Sequence, residues 1–157
     1  MHSHGYFADP DTGKPLSGPV VFAAWCCDGS IDMILTRPVL YIDPHGRWHT
    51  APAGTRINGL SVPSRVLYPI VSNFEAVTRD GSVVHDAIVC QGMDWVYAAW
   101  VFWHAMLAAY ELATRGAPRT WRTWLGRKWF TLRAWNRWAG VRYVGIWFQA
   151  WHRGRKP

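Results

Sequence analysis

Val39-Leu40-Tyr41-Ile42-Asp43-Pro44-His45-Gly46-Arg47-Trp48-His49-Thr50 reads as strand, turn and return strand. Val39–Ile42 is an apolar, extended run placed just after Pro38, rich in the residue types that suit a pleated surface. In Asp43-Pro44-His45-Gly46 the proline presets the second turn position and the glycine suits the last. Upstream, Ile31–Thr36 alternates apolar and polar residues, and Pro19–Cys27 is a short apolar run stopped by Asp28-Gly29, a hairpin pair. These segments predict an antiparallel meander of three or four strands in the first third of the chain. Residues 1–18, dense in Gly, Pro, Asp and Ser, predict an irregular lead-in. Pro52–Pro63 predicts a loop pivoting on Gly54 and Gly59, and residues 64–72 leave helix and extended segment open.

Beyond residue 80 the period changes from two to 3.6. Thr78-Arg79-Asp80-Gly81 reads as a turn, with Ser82 as N-cap of a helix through Cys90 and Gly92 ending it. Asp94 caps a second helix, from Trp95 to about Thr114, with Gly116 as the left-handed residue after it. The sixteen residues Trp95–Tyr110 are apolar nearly all round, short of the roughly 20 that span a bilayer, with His104 inside. A helix buried on several sides, or one in an oligomer interface, follows. Pro118 suits the first turn of a third helix. On a helical wheel Trp121, Trp124, Leu125, Leu132, Trp135 and Ala139 share one face, and Arg119, Arg122, Arg133 and Arg137 the opposite one, with Lys128 the exception. Gly140 predicts a break before a second aromatic stretch to Trp151. The fold class is α+β: residues 19–151 form one domain of a small meander and about three helices, the last basic and amphipathic, with 152–157 a basic tail.

Length and composition agree with one domain able to bury its own core: 157 residues, half of them apolar. The net charge of +7 conceals a split. Residues 1–114 hold all ten acids against six basic side chains, whereas residues 115–157 hold eleven basic side chains and no acid. The basic part therefore suits an anionic partner. Twelve tryptophans add large apolar rings whose N–H groups need partners, which places many of them at the edge of a core or in an interface. Cys26, Cys27 and Cys90 show no metal spacing and read as small core residues in a reducing compartment. The opening Met-His-Ser-His-Gly-Tyr lacks the basic region and apolar run of a secretory signal, which predicts a cytoplasmic chain.

Three blocks then carry a resemblance. They are Ala51-Pro52-Ala53-Gly54-Thr55-Arg56-Ile57-Asn58-Gly59-Leu60-Ser61-Val62-Pro63, Val83-Val84-His85-Asp86, and Phe102-Trp103-His104-Ala105-Met106. In order and spacing over residues 31–140 they resemble a family of phage and prophage proteins, domain-of-unknown-function family 1353, and Leu132–Gly140 is similar to its closing helix. Two positions depart from the family's pattern: its loop aspartate is Asn58 here, and the aspartate of its third block is Ala99. The resemblance implies a shared fold and a tailed-phage or prophage context, and places the basic helix inside the domain.

His85-Asp86 is the most chemical-looking pair. In a functional reading it forms, with Asn58, a catalytic site or a seat for a divalent metal. A His-Asp phosphohydrolase would also need an upstream histidine, such as His45 or His49, and a late aspartate, for which only Asp94 is present. In the structural reading both side chains hold the Asn58–Ser61 loop, each facing a different partner because helical neighbours diverge by about 100°. No nucleophile elbow, phosphate loop or zinc-protease motif occurs.

The basic helix has three readings: packing on the domain with an arginine face for another protein, binding to an anionic membrane, or nucleic-acid binding. The resemblance favours the first. Its candidate partner surface is Arg119, Arg122, Arg127, Arg133, Arg137, Trp138 and Arg142. The expectation is a phage-encoded accessory or minor virion protein, leaning non-catalytic, without a resident cofactor. Its contacts would be with other phage proteins or a second copy, in the host cytoplasm or incorporated into the particle. The alternatives are a small metal-dependent hydrolase at His85/Asp86 and a membrane-interface protein of a phage late module.

Overall fold

The computed structural model describes residues 3–18, 20, 23–25, 33–57 and 76–153. Their strands are β1 (Tyr6–Ala8), β2 (Ala23–Trp25), β3 (Met33–Leu35), β4 (Val39–Ile42), β5 (Trp48–Ala51) and β6 (Arg56–Ile57), and their helices α1 (Ala76–Cys90), α2 (Trp95–Ala113) and α3 (Trp121–Arg153). The fold is α+β, with two antiparallel three-stranded sheets, ordered β1-β4-β5 and β2-β3-β6, in place of one meander.

The split has a local cause and a distant one. The β4–β5 hairpin forms as its sequence requires: Gly46 takes φ 79°, and the Asp43 carboxylate accepts from the His45 and Arg47 amides at 2.8 and 2.9 Å. The partner on the other edge of β4 is β1, with Tyr6 opposite Ile42 and Ala8 opposite Leu40. Thus the lead-in expected to be irregular supplies a strand. Likewise β6 lies inside the segment expected to be loop, and pairs with β3 through Ile57 opposite Met33.

One core joins both sheets to α1 and α2, through Leu35, Tyr41 and Ile57 from the strands, Val84 and Ile88 from α1, and Val101 and Ala105 from α2. Thr78–Gly81, expected as a turn, is already helical, and Ser82 is no cap: its hydroxyl donates to the Arg79 carbonyl within the helix. Gly81 is there for contact. A Cβ on it would come within 2.7 Å of Met106 Cγ and 3.2 Å of the Phe102 ring, so glycine lets α1 and α2 approach.

α2 begins and ends as its sequence predicts. The Asp94 carboxylate accepts from the Val96 and Tyr97 amides, and Gly116 adopts φ 85° after the last turn. Its all-round apolar character reflects burial on two sides. Ala98, Val101 and Ala105 face the main core, while Phe102, Met106 and Leu107 meet Phe130 and Ala134 of α3.

α3 departs most from expectation. Thr120 caps it: the Thr120 hydroxyl accepts from the Thr123 amide while Thr123 Oγ1 accepts from the Thr120 amide, a reciprocal cap; Pro118 stays outside. Gly140 does not break it, and one helix of 33 residues results. Phe130 stacks on Tyr110, Trp138 meets Trp103, and Gly145 abuts Trp95, so α3 runs antiparallel to α2. Gly145 faces the first residue of α2, which carries residues 146–153 past its start.

Candidate functional site

His85 and Asp86 sit on the last turns of α1. Contrary to the wheel argument, they contact each other: His85 Nδ1 lies 3.2 Å from Asp86 Oδ1. Burial pushes the Asp86 carboxyl above its ordinary range, and the hydrogen bond and charge of His85 oppose that shift only in part. The imidazole meets Trp95 and Phe102 in steeply tilted contacts, with centroids 6.3 and 5.7 Å away. Among the described residues its Nε2 is buried without a partner. A carboxylate on one ring nitrogen fixes the tautomer and leaves the other as a base or a single metal ligand. Asn58, expected beside this pair, lies outside the described residues, as does the rest of the loop through Pro63.

The upstream histidines weighed for this site are engaged elsewhere. His49 Nε2 is 3.1 Å from Asp43 Oδ2, and the Tyr97 hydroxyl donates to the same oxygen at 3.2 Å. Burial pushes the Asp43 carboxyl up, but the Arg47 amide, His49, the His45 amide and Tyr97 outweigh it and hold the group below its ordinary value. This buried triad fastens the β4–β5 turn to α2 and was not foreseen, because its members are 6 and 54 residues from Asp43. The turn's own Asp43 was the only signal. His45 stacks on Trp100 at 5.2 Å, and Trp100 meets His104 at 4.5 Å. Burial first, then the nearby His4, lowers the His104 pKa to about 4, which keeps it neutral. Among the described residues no three His, Cys, Asp or Glu side chains are grouped to hold a metal ion. Cys90, expected in the core, is exposed, and Cys26 and Cys27 fall outside the described residues.

The second candidate is α3, and here the packing face is not the one the wheel reading gave. The tryptophan face does not pack. Trp121, Trp124, Trp129, Trp135 and Trp147 are 52–68% exposed, and Leu125, Leu132, Tyr143 and Ile146 are exposed with them. The face that packs is Phe130, Ala134, Trp138 and Val141. Arg137, expected on the outer surface, is 6% exposed. Trp138, expected outside too, is half-buried against Trp103. Arg133 is half-buried, while Arg119, Arg122 and Arg142 are exposed. Arg127 is exposed and donates to Glu111 at 3.4 Å.

At 100° per residue the exposed apolar side chains form one stripe along α3. Arg122 and Arg133 border one edge and Arg142 the other, while Lys128 lies within the stripe. Three of these cations lie over indoles: Arg122 over Trp121 at 5.5 Å, Lys128 over Trp124 at 5.9 Å and Arg142 over Trp138 at 5.3 Å. With roughly 150–250 Å² per large aromatic side chain, five indoles so exposed put on the order of 500 Å² of apolar surface in solvent. That matches the largest apolar patch of a typical monomer, which is often functional. Among the described residues no helix is long and apolar enough to cross a membrane.

The sequence model of a family described as a protein of unknown function, DUF1353, matches residues 33–126. No curated protein and no solved structure matches the chain.

Proposed function

The chain belongs to the DUF1353 family, and from that premise we propose that it is a non-catalytic accessory or minor particle protein of a phage or prophage, acting through the outward face of α3. The observation that carries this reading is the exposure of the tryptophan stripe. A helix that merely closed the domain would bury its largest apolar side chains, yet α3 buries Phe130, Ala134 and Arg137 and leaves Trp121, Trp124 and Trp129 in solvent. Exposed indoles at this density serve binding.

The test is fractionation of prophage-bearing cells producing the full chain, with Trp124→Ser/Trp135→Ser beside the parent. The parent is expected with particles or another large assembly, and the variant in the unbound fraction with parental circular dichroism and melting temperature. A folded variant that distributes like the parent would overturn the reading.

A small hydrolase centred on His85, Asp86 and Asn58 is the second reading, and the buried, unpartnered His85 Nε2 favours it. Calorimetric titration of the full chain with zinc or manganese decides it. Stoichiometric binding lost in His85→Ala supports the site, and identical titrations of parent and variant sink it.

A further inference from the structure

Resting on the reading of α3 as a docking surface, we infer that its partner is the surface of an anionic lipid bilayer, with the helix lying in the plane of the interface. Charge complementarity comes first. Residues 115–157 contain eleven Lys and Arg and no Asp or Glu, and Arg127 reaches Glu111 of α2 for its carboxylate. An anionic surface is attracted along the whole helix. Next is the distribution of apolar groups. Protein interfaces concentrate energy in a central cluster ringed by polar contacts, whereas here the indoles recur from Trp121 to Trp147 on a helix about 50 Å long. A flat, continuous partner satisfies such a row.

The residue types match the depth at which each would sit. Indoles favour the boundary between headgroups and acyl chains, where the ring is apolar and the N–H wet. Arg122 and Arg142 stand at the edges of the stripe and Lys128 within it, each within 6 Å of an indole centroid, and flexible stems let such cations reach phosphate while the rings stay lower. Helices that lie on a membrane combine exposed apolar side chains with cations, without enough apolar length to span, and α3 shows both the exposed indoles and the lack of a spanning length. The opposite face is occupied by α2 through Phe130 and Ala134, so the α+β body would stand on the aqueous side.

The experiment is vesicle flotation of the full chain. Vesicles are phosphatidylcholine alone or phosphatidylcholine with an equal part of phosphatidylglycerol, each at low and high salt. The expected result is flotation with the phosphatidylglycerol vesicles only, weakened by salt, with a blue shift in tryptophan emission. Each cation removed should weaken binding about fivefold, so Arg122→Gln/Lys128→Gln/Arg142→Gln should lose about a hundredfold. Trp124→Ser/Trp135→Ser should lose at least tenfold, both variants keeping the parental melting temperature. No flotation by the folded parent, equal flotation on neutral vesicles, or parental flotation by the tryptophan variant would each overturn the inference. Sedimentation separates this from failure of the parent reading. A dimer that Trp124→Ser/Trp135→Ser dissociates, without flotation, makes the occupant a second copy and leaves the docking surface standing. Failure of the stripe variant to change cell fractionation removes the docking surface itself.

Discussion

Phe130 stacks on Tyr110 with ring centroids 4.2 Å apart and planes 9° from parallel, and this pair helps set the rotation of α3 about its axis. With Phe130 turned inward, Ala134, Trp138 and Val141 follow it toward α2, and the tryptophans are turned to solvent. Phe130→Ala should therefore cost about 3 kcal/mol through the cavity it leaves. Trp135→Ser, on the outward face, should change stability by less than about 1 kcal/mol. Urea unfolding of both variants checks this. The reverse order would mean that the wheel's tryptophan face is the buried one.

Two helical glycines should respond to alanine with opposite signs. Gly81→Ala forces a methyl to within 2.7 Å of buried Met106, and overpacking of that kind costs about 1–3 kcal/mol, more than alanine's gain in helix propensity. Gly140 has nothing within 4 Å of its added Cβ, so Gly140→Ala should stabilise by about 0.5–1 kcal/mol. Thermal melts read both.

Asp80 gives an unusual pH dependence. Burial raises its pKa to about 6, against the attraction of Arg79, which lies 3.5 Å away. A folded pKa above the unfolded value means that native Asp80 favours its proton. Its contribution is thus fully present below about pH 4 and lost as pH rises through about 6. Asp80→Asn should gain on the parent between pH 4 and pH 7 by roughly 2–3 kcal/mol. Denaturation midpoints that keep a constant gap across that range would contradict the assignment.

Asp43 works in the other direction. Its carboxyl is held below the ordinary value once the Arg47 amide, His49, the His45 amide and Tyr97 outweigh burial. Its stabilisation is present above the ordinary carboxylate range and disappears as pH falls through the depressed folded value. Asp43→Asn should cost about 1–3 kcal/mol at neutral pH, with the difference from the parent shrinking in acid. Tyr97→Phe should weaken the same link and raise the Asp43 pKa, readable by carboxyl-carbon NMR.

Some of this protein could be read directly from its residues because the deciding forces are local. The Asp43–Gly46 turn needs a side-chain oxygen, a proline and a glycine within four positions. The α2 boundaries need Asp94 before the helix and Gly116 after it. Chemistry within one turn of chain settles both. Three-residue strands carry too little pattern to announce a partner, so the pairing of β1 with β4 across thirty-odd residues became visible only in three dimensions. The closeness of His85 to Asp86 was similarly hidden, since it depends on side-chain torsions rather than on the wheel.

α3 marks the limit most sharply. Its sequence determined a cationic, aromatic helix but not its run through Gly140, and the absence of acids after Arg115 suits it to an anionic partner. Two apolar stripes run along it, one of Trp121, Trp124 and Trp135, the other of Phe130, Ala134 and Val141, and periodicity does not rank them. Tertiary structure decided in favour of the second. Ala134 and Gly145 permit close approach of helix axes where the indoles of the first stripe would hold α2 away, and close packing is won by the face that fits.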